Sequence, residues 1–167
     1  MDRLQLSAAQ VLAAFLSHVE AGRKRSGPPR RAAVLLARQL SPDARAFLEV
    51  WAAHEMPHVA IGELWLDDDD PGDAVPPPGD VDLKAEPRTE VIMFAHSPGG
   101  DLFALRQGED EQFRAVVRIR HDYGWQEFEV APDLASFVRQ CLAEAKANGE
   151  ETTLDRFLPT FELVEDP

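Results

Sequence analysis

The chain has 167 residues, 44% of them hydrophobic and 28% charged, with one cysteine and a formal net charge of −13. That length supports one domain with a real core. The single cysteine excludes an intramolecular disulfide and a thiolate-rich metal site, and no apolar run is long enough to span a bilayer.

The charge is uneven. Residues 1–60 hold 8 Lys/Arg and 5 Asp/Glu, whereas residues 61–167 hold 9 and 25, so the balances are +3 and −16. Such a field repels nucleic acid and anionic membrane and attracts basic partners. The first ten residues, MDRLQLSAAQ, carry an acid at position 2 and run into an amphipathic stripe. They make a poor signal peptide, and a cytoplasmic location is the expectation.

Residues 7–21 read as a helix. Ser7 and Gln10 match a capping box, and Val11, Leu12, Phe15, Leu16 and Val19 share a face. Residues 23–30 (RKRSGPPR) form a basic loop, a solvated connection or an internal partner for the acidic half. Residues 31–40 read as a short buried helix. Ser41-Pro42 starts another, with Ser as the cap and Pro where a missing N–H costs nothing. Ala44, Phe47, Leu48, Trp51 and Ala52 carry its stripe to about His54. Residues 59–66 (VAIGELWL) then read as one strand.

Residues 67–89 have the most unusual composition. From Glu63 to Glu86, both included, there are nine acids and one base, Lys84, interleaved with prolines. Like charges repel and prolines deny ladder donors, so an exposed, extended loop is expected. Residues 90–130 follow as four short apolar or alternating runs, 91–95, 102–105, 113–120 and 126–130, divided by Gly, Pro and Asp clusters. They predict an antiparallel meander. A hairpin through residues 122–124 places Arg118 and Arg120 opposite Glu127 and Glu129 on the solvent face.

The last long helix starts at Pro132 or Asp133. Its stripe is Leu134, Phe137, Val138, Cys141, Leu142 and Ala145, and Asn148-Gly149 ends it. Cys141 within that stripe reads as a small buried hydrophobe rather than a nucleophile. Thr152 or Thr153 caps a short turn, and Phe157, Leu158, Phe161 and Leu163 hold down the tail. The expected class is α+β: one domain, an antiparallel meander packed against N-terminal helices and a C-terminal helix.

Three strings resemble sites. His54-Glu55-Met56-Pro57-His58 matches H-E-x-x-H, which needs both histidines one helical turn apart. Pro57 lacks an N–H and drives Met56 out of helical geometry, so the pair would not share a helix face. The run from Asp67 to Asp73 lacks the alternating acids, central Gly and terminal Glu of a calcium loop. Ser97-Pro98-Gly99-Gly100 lacks the lysine and following helix of a phosphate loop and reads as a strand-reversing turn. No catalytic residue, metal ligand or cofactor is assigned.

The order of parts resembles the SUKH superfamily of immunity and cell-wall-assembly-regulator-like proteins. Leu40-Ser41-Pro42 and Phe47-Leu48 match its first helix. Gly99-Gly100-Asp101 match its hairpin, Val116 or Val117 with His121-Asp122 its strand, and Phe137 and Leu142 its closing helix. The resemblance covers about residues 31–146. Residues 1–30 precede it as a helix and basic loop, and residues 147–167 follow as a tail. Where the family often has Asn-Gly-Gly after its first helix, this chain has Ala52-Ala53-His54-Glu55-Met56.

The resemblance implies a non-enzymatic module that binds and neutralises a bacterial toxin. The acidic charge fits a basic partner such as a nuclease domain. Asp67, Asp68, Asp69, Asp70, Asp73, Asp80 and Asp82 are the candidate partner-binding residues. A regulatory protein-binding scaffold of the same fold is the alternative, and a zinc-dependent hydrolase has only the His54–His58 string behind it.

Overall fold

The computed structural model describes residues 3–26, 36–66, 91–120, 122, 126–150, 152–158 and 160–165. In chain order these form β1 (Leu4–Leu6), α1 (Ala8–Glu20), α2 (Pro42–Ala53), β2 (Val59–Ile61), β3 (Leu64–Leu66), β4 (Val91–His96), β5 (Leu102–Gln107), β6 (Phe113–Arg120), β7 (Gln126–Ala131), α3 (Leu134–Ala147), a 3-10 turn (Thr153–Arg156) and β8 (Phe161–Leu163). Strands β2 to β7 make one antiparallel sheet in sequential order, and β1 pairs with β8 in parallel, tying the two ends of the chain together. This is the α+β class that the hydrophobic periods imply.

The helices form where their stripes and caps place them. Gln10 N–H donates to the Ser7 hydroxyl at 3.3 Å, and the Ser7 N–H donates back to the Gln10 side chain at 2.9 Å. All five expected apolar positions of α1 are buried. Asn148 and Gly149 (φ +66°) end α3, with Glu150 N–H on the Ala145 carbonyl at 2.8 Å and Gly149 N–H on that of Lys146 at 3.3 Å. Those paired bonds make a Schellman stop.

The start of α2 differs from expectation. Pro42 occupies its first position, but Ser41 makes no side-chain cap. The Ser41 hydroxyl instead donates to Asp43 at 2.6 Å, and the same Asp43 oxygen accepts the Ala44 N–H at 2.9 Å. The second Asp43 oxygen accepts the Ala135 N–H, at 3.1 Å, in the first turn of α3. With Asp133 accepting the Ser136 N–H at 2.7 Å, one aspartate serves two helix N-termini and fixes them side by side.

All three helices lie on one face of the sheet. Their buried residues meet Val59, Ile61, Leu64, Leu66, Ile92, Phe94, Phe103, Leu105 and Val116 in one core. Phe47, Phe94, Phe137 and Phe103 run through it as a chain of ring contacts at 5.9, 6.1 and 5.1 Å. On the opposite face Met93, Ala104, Val117 and Ile119 form a smaller cluster, with Val91 and Leu102 packed against it.

Two other expectations are corrected. Residues 59–66 are a tight hairpin, not one strand: Gly62 takes φ +57°, which reverses the chain so that Ala60 faces Trp65. A glycine adopts that backbone at little cost. The register of β6 with β7 also differs, because the hairpin sets Arg120 opposite Gln126 and Arg118 opposite Phe128. Glu129 stands opposite Val117, Glu127 opposite Ile119, and Phe128 opposite Arg118. The two glutamates therefore share the outer face with the smaller cluster, where Glu129 pairs with Arg106 of β5. Arg118 and Arg120 project on the helix side.

Of the helix expected over residues 31–40, only 36–40 are described, and there Leu40 bridges Phe113. The acidic stretch 67–89 lies outside the described residues.

Because Asp43 caps two helices at once, Asp43→Ala is expected to cost about 2 kcal/mol, roughly twice one ordinary cap. Asp43→Asn should retain part of that. Urea unfolding of the three proteins measures it, and an Asp43→Ala midpoint equal to the parent's would contradict the shared cap.

Candidate functional site

The β4–β5 turn sets up the most polar point on the helix side of the sheet. Gly100 N–H donates to the Ser97 carbonyl at 3.0 Å, and Ser97 N–H to the Asp101 carbonyl at 2.8 Å. The Ser97 hydroxyl accepts the Asp101 N–H at 3.1 Å. Gly100 sits at φ +92°, a conformation L side chains rarely adopt. The turn holds Asp101 just before β5, on the same face as Phe103, only 4% exposed.

A carboxylate that deep needs a partner. Arg118 provides it: its Nε and Nη2 approach one Asp101 oxygen at 2.8 and 2.7 Å. Its Nη1 reaches Glu63, in the β2–β3 turn, at 3.2 Å. In the sheet Arg118 stands between Phe103 of β5 and Phe128 of β7, and its guanidinium lies 5.7 Å from the Phe103 ring. Burial works against the charge on Arg118, but the Asp101 hydrogen bond and charge, with Glu63 behind them, outweigh it and raise its pKa.

Around this pair the sheet and α3 do not close. A cleft of about 260 Å³ opens between the β2–β3 turn, the helix-side face of β5 to β7 and the C-terminal half of α3. Ile61, Leu64, Phe103, Val130 and Phe137 give it apolar walls. Val130 comes from the shifted register of β7, where the ladder passes from Glu129 to Ala131. Phe128, 39% exposed, continues that face beyond the cleft.

The polar lining is acidic. Glu63, Glu144 and Glu150 surround it, and Arg118 is its one cation among the described residues. The β2–β3 turn sits against the end of α3: a Cβ on Gly62 would lie 3.0 Å from the tip of the Glu150 side chain and 3.6 Å from Ala145. The backbone of Glu150 is fixed in turn by the Schellman stop of α3.

Cys141 also lines the cleft, half-buried. Burial, reinforced by the charge of Glu144, pushes its thiol up to about 12, so it is neutral and a poor nucleophile near pH 7. It behaves as part of the apolar stripe, as its spacing implies.

The seven aspartates singled out in the sequence, Asp67, Asp68, Asp69, Asp70, Asp73, Asp80 and Asp82, lie outside the described residues. The zinc-like string has no helical geometry. His54 is the extended C-cap of α2, with Nδ1 buried and without a hydrogen-bond partner among the described residues. His58 packs its ring against Trp65 at 5.5 Å, and Glu55 faces Arg23 at 3.9 Å. Among the described residues no three His, Cys, Asp or Glu side chains form a metal-binding group.

The described part of the basic loop closes the end of α2. Arg25 N–H donates to Ala53 at 3.0 Å, its Nε to Trp51 at 2.7 Å, and its guanidinium lies 4.8 Å from the Trp51 ring. Cations favour a helix C-terminus, so these charges serve α2 within the basic half of the chain.

Sequence reasoning did not bring Asp101, Glu63, Glu144 and Glu150 together. Glu63 and Glu150 stand beside Gly62 and Gly149, and those glycines are the local signal that marks where each acid turns. No family model, curated protein or solved structure matches this chain.

Two outcomes test the geometry. Arg118→Met takes the hydrogen-bonded partner from the buried Asp101 carboxylate, leaving it Arg120 Nε at 3.9 Å, and should cost about 2 kcal/mol. Adding Asp101→Asn should restore part of it, and additive losses in a double-mutant cycle would show the pair to be uncoupled. The Cys141 shift predicts a pH dependence. An unfolded chain ionises the thiol near its ordinary 9.0, the folded one only near 12. Its contribution is therefore complete below pH 9 and lost as pH rises toward 12. Melting temperatures over that range should fall more steeply for the parent than for Cys141→Ala, and parallel curves would contradict the shift.

Proposed function

We propose that this protein is a cytoplasmic binding module that captures a basic protein partner, and that the partner is a bacterial toxin domain, in the simplest case a nuclease, which it neutralises as an immunity protein. The observation that carries this reading is the acid-lined cleft between the β2–β3 turn and α3. It has apolar walls, three glutamates and one arginine already committed to Asp101. It lies in the half of the chain whose charge balance is −16.

A nuclease presents a basic cleft to its substrate, and an acidic surface of this kind steers association with it and shields it. The SUKH-like order of motifs supports the same class of role. Among the described residues no helix is long and apolar enough to cross a membrane, which fits a partner met in solution.

The direct test is co-expression with the product of the adjacent gene. A one-to-one complex that suppresses that protein's toxicity supports the reading. Normal toxicity with no complex, while the module itself is folded, overturns it.

Within this reading the aspartates at 67–70 act at long range. Replacing all four with Asn should lower the association rate about tenfold at low salt and leave dissociation nearly unchanged. Stopped-flow mixing at two ionic strengths measures it. An unchanged low-salt association rate would remove these residues from the binding surface.

A further inference from the structure

We propose that the cleft between the β2–β3 turn and α3 is the seat of a single arginine or lysine side chain from the partner, an inference that rests on the partner being a basic protein. Its size sets the first limit. At about 260 Å³ it lies below the roughly 300–1,000 Å³ of sites that enclose drug-sized ligands. One long side chain fits that scale.

The lining sets the second limit. Ile61, Leu64, Phe103, Val130 and Phe137 provide an apolar surface for an aliphatic stem, and Glu63, Glu144 and Glu150 surround it with carboxylates. A stem on apolar walls with its charged head at a polar rim is how long cationic side chains bury themselves. The one cation already present does not compete for the rim acids on α3. Arg118 is held by Asp101 and Glu63, and neither Glu144 nor Glu150 has an ion-pair partner among the described residues.

The backbone adds a third contribution of the same sign. Glu144 and Ala145 belong to the last turn of α3, a 14-residue helix, and Asn148 is its C-cap. The C-terminal end of a helix carries about half a negative charge. An anionic occupant would meet three carboxylates and this end of the dipole. A neutral apolar one would leave the rim acids partly desolvated. A guanidinium meets both demands, and its flat fork can bridge two carboxylates where an ammonium contacts one.

The probe is N-acetyl-arginine methylamide, with N-acetyl-citrulline methylamide as its neutral, nearly isosteric control. Both are titrated into the full ¹⁵N-labelled chain. The arginine probe should shift the amides of Gly62, Glu63, Cys141, Glu144 and Glu150 and saturate with a dissociation constant on the order of 1–10 mM. The citrulline probe should bind at least tenfold more weakly. A double variant, Glu144→Gln with Glu150→Gln, changes two exposed side chains, and its spectrum reports whether the fold is retained. With the fold intact it should weaken the arginine probe by about tenfold.

Equal affinity for citrulline, shifts scattered away from the cleft, or an unaffected double variant would each overturn the proposal. The experiment needs no partner protein. A cleft that ignores arginine is thus distinguishable from a chain that fails to neutralise its neighbour's product.

Discussion

The Asp101–Arg118 pair is the constraint that shapes the working end of this protein. Asp101 is buried before the first residue of β5, and a carboxylate there is tolerable only when paired and hydrogen-bonded. Satisfying it requires Arg118 to project on the helix side of β6, between Phe103 and Phe128. A guanidinium at that position cannot be sealed under apolar side chains as Val116 is, two residues earlier on the same face. The helix layer and the sheet therefore part company around it, and the space left is the cleft. What resembles a family turn in the string Gly99-Gly100-Asp101 is also the anchor of the charge that Arg118 brings to the packed face of the sheet.

The other end of α3 has the complementary constraint. Its N-terminus shares Asp43 with α2 and has Asp133 as its own cap, so the orphan N–H groups there meet carboxylates. Its C-terminus closes by a Schellman stop and leaves Glu144 and Glu150 at the cleft. The dipole is thus answered by acids at the positive end, while at the negative end Glu144 and Glu150 reinforce it against Lys146 in the last turn. Reinforcement costs stability in isolation, and the structure concentrates it where the wall of the helix is also the wall of a concavity.

Helix stripes were legible in the sequence because a period near 3.6 with a cap at each end has few other readings. Val11, Leu12, Phe15, Leu16 and Val19 fell on the buried face, and Ser7 with Gln10 closed the box as their spacing implies. The meander was legible for the same kind of reason, since Gly and Pro clusters separate its runs. Register was not. The hairpin pairs Arg120 with Gln126 and Arg118 with Phe128, which puts Glu127 and Glu129 on the opposite face from Arg118 and Arg120, and no local composition announces that offset. The hairpin inside VAIGELWL was readable in principle from Gly62-Glu63, but its three-residue strands are too short for alternation to show. The cleft itself joins residues 62, 118, 144 and 150, and that juxtaposition belongs to the tertiary fold alone.

Charge and concavity divide the work of recognition in different ways. Acids spread along a surface raise the rate of encounter and fade with salt, because each acts through solvent. A desolvated anchor acts on dissociation, because leaving means rehydrating one charge while uncovering the apolar walls that held its stem. The sequence of this protein supplies the first kind in abundance between residues 61 and 167, and composition alone cannot distinguish it from simple solubility. The fold offers a place for the second kind where the β2–β3 turn meets the end of α3 and Glu63 and Glu150 line the same space. Gly62 is already required there by the φ of +57° that reverses the β2–β3 hairpin. The same turn leaves the acid-lined concavity beside it, so the proposed cationic anchor and the tight hairpin share one backbone solution.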